Sequence, residues 1–366
     1  MRLNDTLTIA MMCEHPNATR LKYACASVAK LSGVGFFYFV PDDVDVAARK
    51  IKGYTVENNE WVSRIFDYPD AIYDRACRMG KLYGPVYEAL AHIPISTDKP
   101  ANKGSKLITY RKIMENGLFA EYMIPSAIVS GAGQIGSWLH RYRDIVVKPV
   151  SGTQGKGLFC IRTAGAGFEV TLGRRKTAYP DKESLLEWLA AEPLNAGGRF
   201  LVQPFIRSAT REGNPFDIRA HLSRNGEGKW GIVKLYPRIG SSRGVISNIS
   251  AGGHTTDLKS FYQLDLGKKD FVSFQKKLSE FSIQFAEHYQ GLLDYRLQEM
   301  GLDLGIDASG KMWLFEVNLN RLGTMYVELE AAQLGIPYTI YLAKQGRTTT
   351  ASAFNTNDKG EWIEKK

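Results

Sequence analysis

Residues 301–320 read Gly301-Leu302-Asp303-Leu304-Gly305-Ile306-Asp307, then Ala308-Ser309-Gly310-Lys311, then Met312-Trp313-Leu314-Phe315-Glu316-Val317-Asn318-Leu319-Asn320. Two alternating runs around a small-residue break describe a β-hairpin, because successive strand side chains face opposite sides. A two-residue turn at Ser309-Gly310 pairs Leu302 with Val317, Asp303 with Glu316, Leu304 with Phe315 and Ile306 with Trp313. One face is then apolar throughout, and the other gathers Asp303, Glu316 and Asn318. The reading depends on register, since a slip of one residue turns every side chain to the other face.

Opposed carboxylates at ~5 Å and an effective dielectric of ~20 repel by on the order of 3 kcal/mol. A shared proton or a bound cation relieves the repulsion. Two carboxylates and an amide carbonyl form a hard-oxygen set suited to Mg²⁺ or Mn²⁺, which also holds phosphate oxygens. The alternative is a solvated hairpin face on which the charges never meet.

Upstream, Asp144 to Pro149 reads as a strand carrying Lys148, followed by the small-residue loop Ser151-Gly152-Thr153-Gln154-Gly155-Lys156-Gly157 and a returning strand from Leu158. Such a loop lets backbone N–H groups approach phosphate, and a strand lysine adds a fixed point charge. The stretch does not fit GxxxxGK[ST], so a P-loop is not expected. Gly131 to Gly136 matches GxGxxG in form, but the next strand ends at Lys148-Pro149 with no ribose-binding acid, and dinucleotide binding is not expected either. Phe216 to Leu222 puts Asp217, Arg219 and His221 on one strand face, where Arg219 suits a carboxylate or phosphate and Asp217 would orient it. Arg238 and the segment Ser247 to Gly253 form a second basic, glycine-rich stretch, and His221 and His254 lack zinc spacing.

The surrounding chain sets bounds. At 366 residues it is long enough for two or three domains, and 44% apolar with 11% aromatic residues excludes disorder over most of its length. No apolar run approaches a membrane span, no signal-peptide order opens the chain, and a cytoplasmic location is expected. Cys13, Cys25, Cys77 and Cys160 have no metal-ligand spacing and read as reduced thiols. A net charge of +9 comes from scattered bases, which favours a polyanionic small ligand over nucleic acid. Strand, helix, strand from Thr8 to Val40 suggests a parallel α/β unit, a polar boundary follows at residues 97–104, and Ser105 can cap a helix from Lys106 to Glu115. Helical periodicity runs over 270–300, and a polar tail starts near Gly346.

Taken in order, Lys106, Lys148, the glycine loop, Gln203-Pro204-Phe205-Ile206, Asp217-Ile218-Arg219, Asn248 with Gly252-Gly253, and Asp303, Glu316 and Asn318 resemble the ATP-grasp superfamily. The segments PFDIR, SNISAGG, FEVNLN, FVPDDVD and AIYDR are similar to its YheC/YheD-type branch of endospore coat-associated proteins, and the resemblance covers about residues 7–345. It implies an α/β plus α+β chain: an α/β pre-ATP-grasp domain (1–97), an ATP-grasp domain (98–345) with lobes at about 98–200 and 201–345, and a tail (346–366). It further implies that Lys106 (or Lys112 on the same helix) and Lys148 contact phosphates, with Ser151, Gly152, Gly155 and Gly157 in the lid. Gln203, Phe205 and Ile206 would lie beside the adenine, and Arg219, Arg238 and Asn248 would face the γ-phosphate or acceptor. Asp303, Glu316 and Asn318 would hold Mg²⁺. The arginine that many relatives carry just before the first metal acid is missing from Glu299-Met300-Gly301-Leu302. The implied activity is a carboxylate–amine ligase working through an acylphosphate on a small molecule or peptide. The alternative is an ATP-binding structural or spore-coat-associated protein without turnover.

Overall fold

A computed structural model describes residues 7–76, 83–98, 106–150, 157–173, 175–192, 194, 199–240, 252–267 and 269–346. The first sheet is built from β1 (Thr8–Met12), β2 (Gly35–Phe39), β3 (Val44–Asp45), β4 (Lys50–Glu57), β5 (Glu60–Asp67) and β6 (Ala71–Asp74). Its order is β3-β4-β2-β1-β6 with β5 outside β4, and β1 runs parallel to both β2 and β6, as the strand–helix–strand pattern implies. α1 (Arg20–Leu31) makes the crossover; Thr19 caps it by accepting from the Lys22 N–H, and Leu21, Cys25, Val28 and Ala29 form its buried stripe. The β4–β5 ribbon has no counterpart among the expected elements. Its strands are largely solvated, so charged residues interrupt the apolar alternation that marks a buried strand. Gly53 is required within it, because a Cβ there would stand 2.4 Å from the Phe37 ring. α2 (Gly84–Leu90) covers the opposite face of this sheet through Tyr87 and Leu90.

After α3 (Lys106–Asn116), the second sheet comprises β7 (Ala127–Ile128), β8 (Asp144–Pro149), β9 (Phe159–Ala164), β10 (Gly167–Leu172), β11 (Arg175–Tyr179) and β12 (Phe200–Pro204), in the order β11-β10-β9-β8-β12-β7. α4 (Ala132–Tyr142) and α5 (Lys182–Ala191) bury one face over Ile145, Val147, Phe159, Ile161 and Val202. The GxGxxG stretch leads into α4 from a strand that pairs antiparallel with β12, so no parallel dinucleotide-binding crossover forms.

The third sheet holds β13 (Phe216–Arg224), β14 (Trp230–Ile239), β15 (His254–Thr255), β16 (Glu299–Ile306) and β17 (Met312–Leu319), ordered β15-β14-β13-β16-β17. α6 (Leu258–Leu264) and α7 (Phe271–Gly291) cover one face, packing Phe261, Leu278 and Phe285 on Ile218, Leu302 and Leu304. The helix expected through residue 300 ends at Gly291, where Lys112 Nζ donates to the Leu292 carbonyl at 3.0 Å, and β16 begins at Glu299. α8 (Glu328–Gln345) lies between the first and third sheets, sharing a core with α1 and β1 on one side and touching Gly226 and Gly231 through Pro337 and Leu334 on the other. Among the described residues no helix is long and apolar enough to cross a membrane. Ser105, Cys77 and the tail beyond Gly346 lie outside the described residues.

Candidate active site

The face of the third sheet turned away from α6 and α7 carries Asp217, Arg219 and His221 on β13, Glu299, Gly301 and Asp303 on β16, and Glu316 and Asn318 on β17. Asp303 opposes Glu316 and Leu302 opposes Val317, as the hairpin reading requires. Nearer the turn the reading is corrected: Leu304 opposes Leu314, and Ile306 opposes Met312. The turn has three residues between Asp307 and Lys311, with Gly310 at φ +85°, and a bulge at Phe315 absorbs the extra residue. Turn and bulge offset one another, so the carboxylate pair keeps its register. Phe315 instead packs on the site face, where a Cβ at Gly305 would stand 2.0 Å from its ring.

Arginines relieve the carboxylate repulsion. Arg219 forks onto Asp303 through Nε and Nη2, the latter at 3.2 Å, and Arg238 Nη2 reaches Asp303 Oδ2 at 2.9 Å. Burial works against the Asp303 charge, but the two guanidiniums hold its carboxyl below the usual range. Asp217 orients Arg238, at 2.6 and 2.8 Å, and not Arg219 as the sequence suggested. The reason is register: Asp217 faces Arg238 across the β13–β14 ladder, while Arg219 faces Asp303 across β13–β16. Asn318 Nδ2 donates to Asp303 Oδ2 at 3.3 Å. Asp303, Glu316 and Asn318 are thus neighbours, and they fit a hard divalent cation once the Asn318 amide turns its oxygen inward.

Across from this face stands the open face of the second sheet. Lys148, Leu201 and Gln203 line a narrow cleft of about 40 Å³ together with Phe315 and Glu316, and Thr109 and Tyr110 of α3 close one end. Gln203 Nε2 donates to Ser126 Oγ at 2.6 Å, which fixes its amide. Phe205 lies one step along the same strand face, its ring under the Arg162 guanidinium, with 4.6 Å from the carbon to the ring centroid. Ile206 does not line this cleft; its carbonyl accepts from Ser208 N–H in the connection between lobes. Gly157, at φ +75°, lies close to Pro149. Lys112 is engaged by the Leu292 carbonyl. The Lys106 side chain, Ser151, Gly152, Gly155 and Asn248 lie outside the described residues. A roomier cleft of about 610 Å³ sits on the helix side of the third sheet, bounded by Arg207, Arg211, Tyr262, Asp270 and Lys277.

Sequence reading missed a buried polar cluster behind the site. Glu299, 1% exposed, pairs with Arg75 at 2.5 Å, accepts from Tyr73 Oη at 3.0 Å and from the Leu322 N–H at 3.1 Å. Arg75 Nη2 also donates to the Leu322 carbonyl at 2.7 Å, so the ion pair holds both backbone groups of that one residue. Burial opposes the Glu299 charge, and Arg75 overcomes it, keeping the carboxyl low. Glu299 stands in period with Gly301 and Asp303, and that phase was the available signal. His221 is fully buried beside this cluster, and neither ring nitrogen has a hydrogen-bond partner among the described residues. Burial lowers its pKa to about 4, with Glu299 opposing and Arg219 and Arg75 reinforcing the shift.

Residues 99–334 match the family described as YheC/D like ATP-grasp. The chain belongs to that family. It is 26% identical over 300 residues to the endospore coat-associated protein YheC of Bacillus subtilis (strain 168), covering 78% of this chain and 80% of YheC. Against YheD of the same organism it is 23% identical over 292 residues, 77% of this chain and 63% of YheD. Among solved structures, the ATP-grasp ligase PsnB complexed with minimal precursor superposes with a TM-score of 0.51 at 13% identity, over 93% of this chain and all of that one. That likeness is one of fold. The two facing sheets form the ATP-grasp fold, and the α/β sheet before them completes the expected class.

Proposed function

We propose that the chain is an ATP- and Mg²⁺-dependent ligase that joins a carboxylate to an amine. A substrate carboxylate oxygen attacks the γ-phosphorus, ADP leaves, and the amine displaces phosphate from the acylphosphate to give an amide. The observation that carries this reading is the cross-strand pair Asp303 and Glu316, with Lys148 and Gln203 on the opposite wall of one cleft. Mg²⁺ held by Asp303, Glu316 and Asn318 supplies charge neutralisation at the phosphate oxygens. Lys148 adds a fixed positive charge from the other sheet, and Arg219 and Arg238 keep Asp303 ionised and present their guanidiniums toward the γ-phosphate or acceptor. Positioning and electrostatics carry such a reaction, so no side-chain nucleophile is required. Lys106, the 151–157 lid and Asn248 complete the proposed nucleotide site. By kinship with YheC and YheD, we place the protein in association with the endospore coat.

Mg²⁺ and ATP together should raise the melting temperature of the wild type. Glu316→Gln should abolish the part of that rise that depends on Mg²⁺, and undiminished stabilisation in the variant would remove the hairpin as the metal site. With pooled amino acids and peptides as acceptors, release of ADP and phosphate reports ligation. Nucleotide binding without release across a broad screen would favour a non-catalytic ATP-binding protein.

A further inference from the structure

Resting on the nucleotide reading of this cleft, we propose that Arg162 is the residue that recognises the base, donating from its guanidinium to an accepting ring nitrogen of adenine. Strand alternation carries the placement. Ile145 and Val147 of β8, Ile161 of β9 and Val202 of β12 point into the helix-covered core, so Lys148, Val146, Gln203, Cys160 and Arg162 share the cleft face. The ladder then sets three levels. Lys148 stands opposite Leu201, Val146 opposite both Gln203 and Cys160, and Asp144 opposite Arg162, with the Phe205 N–H bonded to the Asp144 carbonyl at 2.9 Å. Two residues of strand advance about 7 Å, which puts Arg162 two levels, about 14 Å, from the phosphate-facing Lys148. A nucleotide whose phosphates meet Lys148 brings its base to the far two levels.

The state of Arg162 fits that role. Its guanidinium lies over the Phe205 ring, a contact that holds it at the far end of the cleft face. Nε is shielded from solvent and has no hydrogen-bond partner among the described residues. A buried donor without an acceptor is costly, and an incoming acceptor recovers that cost. Flanking carboxylates do not satisfy it: Asp144 accepts from the Thr163 N–H at 3.4 Å, and Glu169 pairs with Lys176 at 3.0 Å. Cys160 beside it touches the Arg162 side chain, but burial pushes its thiol up to about 11, so at neutral pH it offers a weak neutral sulfur acceptor and no anion. An unmet donor therefore stands at the level where the base arrives.

Calorimetric titration of the full chain with ADP and with pyrophosphate, both with Mg²⁺, tests the assignment. Arg162→Met should weaken ADP binding about tenfold, leave pyrophosphate binding unchanged, and narrow the wild-type preference for ADP over CDP. Arg162→Lys keeps the charge but loses the planar donor, and it should lose ADP affinity as the Met variant does. Equal losses for ADP and pyrophosphate, no loss for either, or full rescue by lysine would each overturn the proposal. A wild type that binds neither ligand would instead remove the ligase reading on which the proposal rests. The lysine variant, which preserves the stem and charge, decides the matter if the methionine variant does not fold.

Discussion

His221 makes the stability of this protein pH-dependent in a window where few side chains act. Its pKa is 6.5 in a solvated chain and about 4 in the fold, because burial excludes water and Arg219 and Arg75 disfavour a further positive charge. The unfolded chain therefore binds a proton that the native state refuses. Stability is fully present above pH 6.5 and falls as pH drops toward 4, with a slope of about 1.4 kcal/mol per pH unit. The difference of 2.5 units amounts to about 3 kcal/mol across the window, a sizeable share of an ordinary folding free energy. His221→Leu removes the titrating group along with two ring nitrogens that lack partners, so it should cost little at pH 7.5. Urea unfolding of both proteins at pH 7.5, 5.5 and 4.5 reads the effect. The gap between them should shift in favour of leucine by about 1.4 kcal/mol at pH 5.5 and by about 2.5 kcal/mol at pH 4.5. The depressed carboxyls of Asp303 and Glu299 act in the same direction but lower, their stabilisation being lost as pH falls below the ordinary carboxylate range. Parallel pH profiles for wild type and His221→Leu would refute the reasoning.

Arg75→Met leaves the Glu299 charge buried without its partner and should destabilise the fold by about 3–5 kcal/mol in urea unfolding; adding Glu299→Leu should recover most of that loss. Gly305→Ala forces the Phe315 ring off its position, and a loss of about 1–3 kcal/mol is expected from the melting curve, with an unchanged curve counting against the bulge packing. Lys22→Met removes an ammonium that bonds the His15 and Asn17 carbonyls at 2.6 and 2.7 Å and lies over the Tyr38 ring. Proteolysis of the exposed 14–18 loop should speed up in that variant, and equal rates would show that the loop holds itself.

Much of this site was legible because strands write their faces in alternation. Asp303, Glu316 and Asn318 could be placed together from period two alone, and Lys148 from its position at the end of an apolar strand. The turn was misjudged by one residue, since Ser309-Gly310 reads equally well as a two-residue or a three-residue connection, and only the bulge at Phe315 kept the acid pair in register. Asp217 was assigned to Arg219 because they share a strand face; the observed partners lie across the ladder, which a single strand does not encode. The Arg75–Glu299 pair joins residues 224 positions apart, and local pattern carries nothing about such a meeting. β4 and β5 escaped notice because, apart from Ile51, Gly53 and Phe66, the ribbon is mostly solvated, and its charged residues interrupt the apolar period that flags a strand.

The placement of α8 has a consequence for how the chain is made. Ala331, Ala332, Ile336 and Leu342 fill the same core as Ile9, Met11, Cys25 and Val28, and Gly335 passes close to the Tyr73 ring. Roughly 300 residues must leave the ribosome between β1 and the helix that covers it, which at usual synthesis rates takes about 15 to 60 s. Through that interval the nascent first sheet shows an uncovered apolar flank, and its maturation waits on the last helix rather than on its own strands. A chaperone that shields this flank would raise the yield of folded protein most when translation is slowed between β6 and α8.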